Sequence, residues 1–212
     1  MKKKSRLFTT VLLLLLTVVL VGCNNGEGNS KTETYVMEAE YIDLSTVIGA
    51  GISSEASGVN MIHGTGEQTD ISKGWSSGYY LGFTYSAGLE LDFVFNAENA
   101  GVATVILRLG SEIGNITFDP SSLEVRLNGT AINYQNMLVY GSNMDEMSFT
   151  DITLTTDANL VEGSNTITIE ILNNTLRSGQ VGGPMIDCIK LVTDSKLTWT
   201  DKLDNPSQRG AI

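Results

Sequence analysis

The chain has 212 residues, 42% of them hydrophobic, with 24 acidic against 13 basic side chains and a formal net charge of −11. Such a surface repels nucleic acid and anionic lipid headgroups, whose capture needs clustered Lys and Arg. Two cysteines in all exclude a disulfide framework, and the length suits one domain with its own core.

Residues 1–22 read as a secretory signal rather than as part of the fold. Lys2, Lys3, Lys4 and Arg6 head an apolar run from Leu7 to Leu20, broken only by Thr9, Thr10 and Thr17. The run is short for a membrane span. Its ending, Leu20-Val21-Gly22-Cys23, resembles a bacterial lipobox, which implies that Cys23 carries a lipid and that the protein sits at the cell surface, held to the membrane by that anchor alone. Loss of the four cations of this segment takes the net charge from −11 to −15. Cys188 is then left without a disulfide partner, so stability rests on packing and on any metal the acidic side chains hold. Residues 23–34, ending in "NNGEGNSKTET", form a flexible tether.

From Tyr35 onward apolar residues recur with period two. "YVMEAEYIDL" (35–44) reads as a strand, as do Leu89, Leu91, Phe93 and Phe95, then Leu123, Val125 and Leu127, and then Ile167, Ile169 and Ile171. Val102 to Leu109 is denser, as an interior strand is, and the last clear strand is "PMIDCIKLV". Turn signals separate them: "NAENAG" at 96–101, Asn128-Gly129, and "VEGSN" at 161–165. No sustained helical period occurs. The pattern predicts an all-β fold, a β-sandwich of jelly-roll type spanning residues 35–200, with a tail at 201–212. Two irregular stretches, residues 48–78 and 173–184, are the places for function or motion.

The carboxylates raise a problem. On a strand, Glu38 and Glu40 share one face. Alternation in the last strand groups Asp187 with Met185, Ile189 and Leu191, an apolar face with no clear basic partner nearby. A carboxylate there must be paired or hydrogen-bonded. One Ca²⁺ shared by Glu38, Glu40 and Asp187 answers both points, because calcium takes roughly six to eight oxygen ligands. Two other readings stay open: the glutamates face water at an edge, or they form a catalytic pair. Glycosidase carboxylates stand roughly 5–9.5 Å apart, but neighbours on one strand do not naturally flank a sugar ring.

The ordered set "EAE", "SSGYYLGF", "LELDFVF", "AGVATVILRLG", "LEVRLNGT", "VEGSNTITIEIL" and "PMIDCIKL" resembles carbohydrate-binding modules of families 6 and 35 over residues 35–192. The resemblance implies a galactose-binding-like sandwich without catalytic activity. It also implies a structural Ca²⁺ near the termini on Glu38, Glu40 and Asp187. Sugar is then expected at the loop end of the sandwich, stacked on aromatic faces and hydrogen-bonded by polar side chains. The residues in position are Trp75, Tyr79 and Tyr80, of which one tyrosine points inward and the other lines the cleft, together with Asn173, Asn174 and Arg177. The sequence departs from the related modules where a tryptophan often follows the "NG" turn; Phe149 is the near substitute. Trp199, beyond the expected last strand, packs on the sandwich or flanks the cleft.

His63, the sole histidine, has no partner motif for a catalytic triad, and Cys188 reads as an inert buried thiol. Arg108, in an apolar strand, pairs with an acid or reaches the cleft. The leading expectation is a monomeric, lipid-anchored, calcium-stabilised protein that binds poly- or oligosaccharide without acting on it, alongside glycan-degrading enzymes. The alternatives are a protein-binding module that keeps the fold without the sugar site, and a glycan-degrading jelly-roll enzyme.

Overall fold

The computed structural model describes residues 31–44, 60–63, 79–82, 84, 87–111, 115–139, 149–172, 175–177 and 180–205. For 60–63, 79, 175–177 and 180–182 the description extends to the backbone alone. The first strand, β1 (Glu33–Glu38), runs into a 3-10 turn (Ala39–Tyr41), then β2 (Asn60–His63) and β3 (Tyr79–Gly82). There follow β4 (Leu89–Ala97), β5 (Gly101–Gly110), β6 (Ile116–Phe118), β7 (Leu123–Leu127) and β8 (Thr130–Ala131). The remainder is β9 (Met137–Val139), β10 (Thr150–Leu160), β11 (Gly163–Ile171), β12 (Thr175–Arg177), β13 (Gln180–Gly182), β14 (Met185–Thr193) and β15 (Leu197–Trp199).

Two antiparallel sheets carry the fold. One has the order β10-β5-β14-β3-β2, with β1 also on β14, and the other is β15-β4-β11-β7-β8. Strict alternation in β4 turns Leu89, Leu91, Phe93 and Phe95 inward. The same period turns Val105, Leu107 and Leu109 of β5 toward them, and all join one core with Ile167 and Ile169. Each such side chain contributes roughly 1.5–3 kcal/mol by leaving water. The expected β-sandwich is therefore what the period-two pattern builds.

The edge of β14 opposite β5 is divided. Its C-terminal part, Cys188–Thr193, pairs with β1, and Ile186 pairs with Leu81 of β3. One strand cannot hold that whole edge, so β1 must leave it where β3 takes over. It does so at Glu38. The strand expected over 35–44 thus ends early, and Ala39–Tyr41 turns away as a 3-10 step.

The "NG" turn forms as its residues require. Asn128 and Gly129 both have positive φ, 52° and 76°, the conformation of the tightest hairpins. Its base is held by Asn165, which is almost wholly buried. Asn165 Oδ1 accepts from the Val161 amide (3.0 Å) and from Asn128 Nδ2 (2.9 Å), while Nδ2 donates to the carbonyls of Val161 (2.8 Å) and Gly163 (2.9 Å).

Several strands lie outside the sequence pattern: β2, β12 and β13 fall in the stretches read as irregular, β6, β8 and β9 are short, and β10 and β15 bear on the site. In β10, register shifts fall between Thr153 and Thr155 and between Thr155 and Ala158; each inserts an extra residue opposite β5 and breaks the alternation. β15 is a short edge strand on β4. There Trp199 packs against the sandwich, its ring 6.2 Å from that of Phe93 and 6.4 Å from that of Tyr41. Backbone bonds continue past it, Leu203 N–H to Tyr41 O at 3.0 Å.

Asn165→Ala removes four hydrogen bonds and leaves buried backbone groups unmet, so urea denaturation is expected to show a loss of ~2–3 kcal/mol. A loss under ~0.5 kcal/mol would show that water replaces the amide.

Candidate functional site

Glu38 lies at the C-terminal end of β1 opposite Cys188, and Cys188 lies opposite Arg108 of β5, which in turn lies opposite Asp151 of β10. These four residues make one row across four strands, on the face of the sheet turned away from the core. Asp187 enters the row through a bulge. Ile186 pairs with Leu109 and Cys188 with Arg108, so Asp187 is the extra residue. A bulge shifts the strand's phase and re-aims a side chain.

That shift corrects two expectations. Ile186, not Met185, joins Ile189 and Leu191 in the core; Met185 instead packs with Tyr80 and Phe149. Asp187 also has a basic partner: Arg108 Nε stands 3.1 Å from its Oδ2. The guanidinium reaches it because β5 is the adjacent strand, a neighbour that spacing along β14 alone does not reveal.

Asp187 is fully buried, as is Cys188, whose thiol lies 3.8 Å from Asp187 Oδ2. One potential ligand atom from each of Glu38, Asp187 and Cys188 lies within 4.8 Å of the others. Glu40 does not share a strand face with Glu38. It sits in the 3-10 turn, fully buried, in an element that packs against β14 and β3. The turn corrects the side-by-side strand geometry assumed for the pair, and with it the geometry on which a catalytic pair was weighed.

Arg108 is shared. Its Nη1 donates to Asp151 Oδ1 at 2.6 Å, and Lys190 Nζ donates to Asp151 Oδ2 at 2.7 Å. Burial alone raises the Asp151 pKa, but the hydrogen bonds from Lys190 and Arg108 outweigh it and hold the carboxyl below its ordinary value. Its contribution to stability is thus present above the unfolded carboxyl range and fades as pH falls through the lowered folded value. The ion pairs of this row join Arg108 to Asp151 and Asp187, and Lys190 to Asp151.

The donor chemistry fits a hard cation in part. The oxygens of Glu38 and Asp187 suit Ca²⁺, with Glu40 as a further carboxylate in the turn that leaves β1. The Cys188 sulfur does not suit calcium and is a neighbour of such a site rather than a ligand for it.

The residues expected to hold sugar fall differently. Tyr80 does not join the main core, which takes Leu81 from β3; it lies in a separate cluster with Met185 and Phe149, its ring buried 5.2 Å from that of Phe149, and leaves no face for a sugar. Phe149 is buried by the same contact and presents no face either. Tyr79 and Arg177 have their backbones in β3 and β12, and their side chains lie outside the description. Trp75, Asn173, Asn174 and Cys23 lie outside the described residues, as does the side chain of His63. Sequence reasoning missed Asp151 and Lys190. Asp151 lies in β10, a strand hidden by its bulges, and its ion pairs reach across to Arg108 of β5 and Lys190 of β14.

No protein-family model matches the chain, and no curated protein matches it in sequence. Among solved structures it is similar to a family 35 carbohydrate-binding module from an environmental isolate, with 15% identity and a TM-score of 0.48 over 78% of this chain and 97% of that one. It is also similar to a family 35 module from Clostridium thermocellum, with 18% identity and a TM-score of 0.44 over 75% and 97%. A third is a Podospora anserina GH26-CBM35 β-(1,4)-mannanase, with 16% identity and a TM-score of 0.47 over 77% of this chain. The match spans 28% of that enzyme's length.

Arg108→Met leaves buried Asp187 without its guanidinium and is expected to cost ~3–5 kcal/mol in urea denaturation. Adding Asp187→Asn should recover part of that loss. Equal stabilities of the single and double variants would show that the pair is not what neutralises Asp187.

Proposed function

We propose that the protein is a lipid-anchored, calcium-stabilised, non-catalytic carbohydrate-binding protein at the bacterial cell surface. One observation carries the reading: acids from the opening and closing strands converge in a buried corner, with Glu38 and Asp187 within reach of one ion. These are positions at which the resemblance of the sequence to families 6 and 35 implies a structural calcium. Glu40 completes the acid set from the adjoining turn.

The ion's part is to cancel charge. Bound there, it would supply positive charge to the buried Asp187 and the half-buried Glu38 and join β1 to β14. The chain's own residues do the rest. Arg108 holds Asp187, the bulge aims Asp187 toward β1, and the turn at Ala39 lets β3 take its place on the sheet. The acids serve this corner rather than flank a cleft, which supports a binding role over a hydrolytic one.

Sugar recognition in this reading belongs to the loops. Trp75 offers the stacking face, Tyr79 the second aromatic, and Asn173, Asn174 and Arg177 the hydroxyl contacts. Tyr80 is withdrawn from that set by its burial. A single such site binds weakly, and display of many copies at a surface raises the effective affinity. Cys23 provides that display through its lipid.

EDTA is expected to lower Tm by ~5–10 °C, reversibly with calcium, from a site saturated about a hundredfold above its Kd. An unchanged Tm would remove the ion from the reading. On a glycan array, Trp75→Ala should abolish binding with the fold intact. Silence of the wild-type protein on every glycan, with capture of a surface protein, would instead favour a protein-binding module.

A further inference from the structure

The two long edges of the sandwich differ. Along β1 and β15, Tyr35 and Trp199 pack against the core and leave a pocket of only about 80 Å³. Along the opposite edge, where β8 ends one sheet and β10 the other, it opens into a cleft of about 490 Å³. That volume lies within the roughly 300–1,000 Å³ typical of small-molecule sites.

The cleft combines an apolar floor with a polar rim. Leu127, Ile132 and Ala158 form the floor, and Val161 is 49% exposed beside them. Thr130, Asn133, Asp157 and Asn159 stand exposed at the rim. Each of the two asparagine amides carries two donors and an acceptor. Neither makes a side-chain hydrogen bond among the described residues, whereas Asn128 in the same wall donates to Asn165 and accepts from the Thr166 amide.

The walls are set in advance. The tight turn at Asn128-Gly129 is bolted to the base of β11 through Asn165. Opposite it, the two bulges of β10 fall between Thr153 and Ala158. There Thr155 and Asp157 bond each other through their side chains. Bulges gather at sheet edges and beside binding sites, where they turn side chains out of register.

We propose that this edge cleft is a second saccharide-binding site, taking the interior of a neutral oligosaccharide, in addition to the loop site. The ligand class rests on the carbohydrate reading above. Its fit rests on the cleft: amides, hydroxyls and a carboxylate suit sugar hydroxyls, and the aliphatic floor suits pyranose C–H faces. The acidic chain and Asp157 disfavour phosphorylated or sulfated ligands. The bulges deny a peptide the continuous ladder that strand addition requires.

The test is a set of ¹H–¹⁵N spectra of the protein with xylohexaose, mannohexaose and cellohexaose, each added to saturation. Amide shifts are expected at Thr130–Asn133 and Thr155–Val161, in the wild type and in Trp75→Ala alike. The Asn133→Ala/Asn159→Ala double variant should bind there about tenfold more weakly, with an unchanged melting temperature because both residues are exposed. Shifts confined to the surroundings of Trp75 and Tyr79 would overturn this inference and leave the loop reading intact. Shifts at the cleft that the double variant does not weaken would overturn it too. Shifts at the cleft alone would uphold it while removing the loop site, and none with any probe would remove both.

Discussion

One strand edge has to serve two partners, and the rest of the molecule is arranged around that. β14 is the only described strand paired with β5, β1 and β3 together. Where its outer edge passes from β1 to β3, backbone pairing stops and acidic side chains are drawn into a space water does not reach. Fully buried carboxylates cannot remain charged there without compensation. Arg108 meets Asp187 from the neighbouring strand, and the bulge brings Asp187 to it. The 3-10 turn, the bulge and the ion pair are therefore one solution to one crowding problem. The opposite sheet handles charge in a more ordinary way. Arg126 is half-buried among Glu90, Glu124 and Glu170 on an outer face, where pairing needs no distortion of the strands.

The two lateral edges show how the same sandwich can be closed or left open. On one side a tryptophan from the last short strand packs over most of the gap, with Lys202 lying 4.5 Å from the Tyr41 ring centre beside it. On the other, the described lining of the cleft is aliphatic and polar and includes no aromatic side chain. The closed edge contributes packing energy. The open edge gives up packing and leaves space whose walls are nonetheless fixed by hydrogen bonds. Rigid walls around an unfilled space are what a binding site needs, since ligand contacts then cost little reordering.

Much of this was legible in the sequence, and the reasons for the rest are local. Leu89 to Phe95, Leu123 to Leu127 and Ile167 to Ile171 alternate without interruption, so each could be read as a strand. The "NG" pair announced its hairpin because φ is positive at both residues. β10 was not legible: its two extra residues scramble the alternation of "TDITLTTDANL". Period two misplaced Glu38 and Glu40 relative to each other, because a strand's end is set by competition for an edge rather than by its own residues. Asp187 misled for the same reason, since a bulge depends on the partner strand. The pairing of Arg108 with Asp187 is a cross-strand fact, visible only once β5 and β14 are neighbours. Tyr80 was separable from Tyr79 by parity, but nothing in the sequence showed that Tyr80 would be buried against Met185 and Phe149 on the face away from the main core.

β10 is eleven residues long and ends its sheet. A flat edge of that length, rich in threonine, would be an open template for another copy of the chain. The two insertions kink it and spoil the spacing of its outward-facing amides and carbonyls. An irregularity that makes room along one flank thereby also discourages edge-to-edge stacking between copies of the chain.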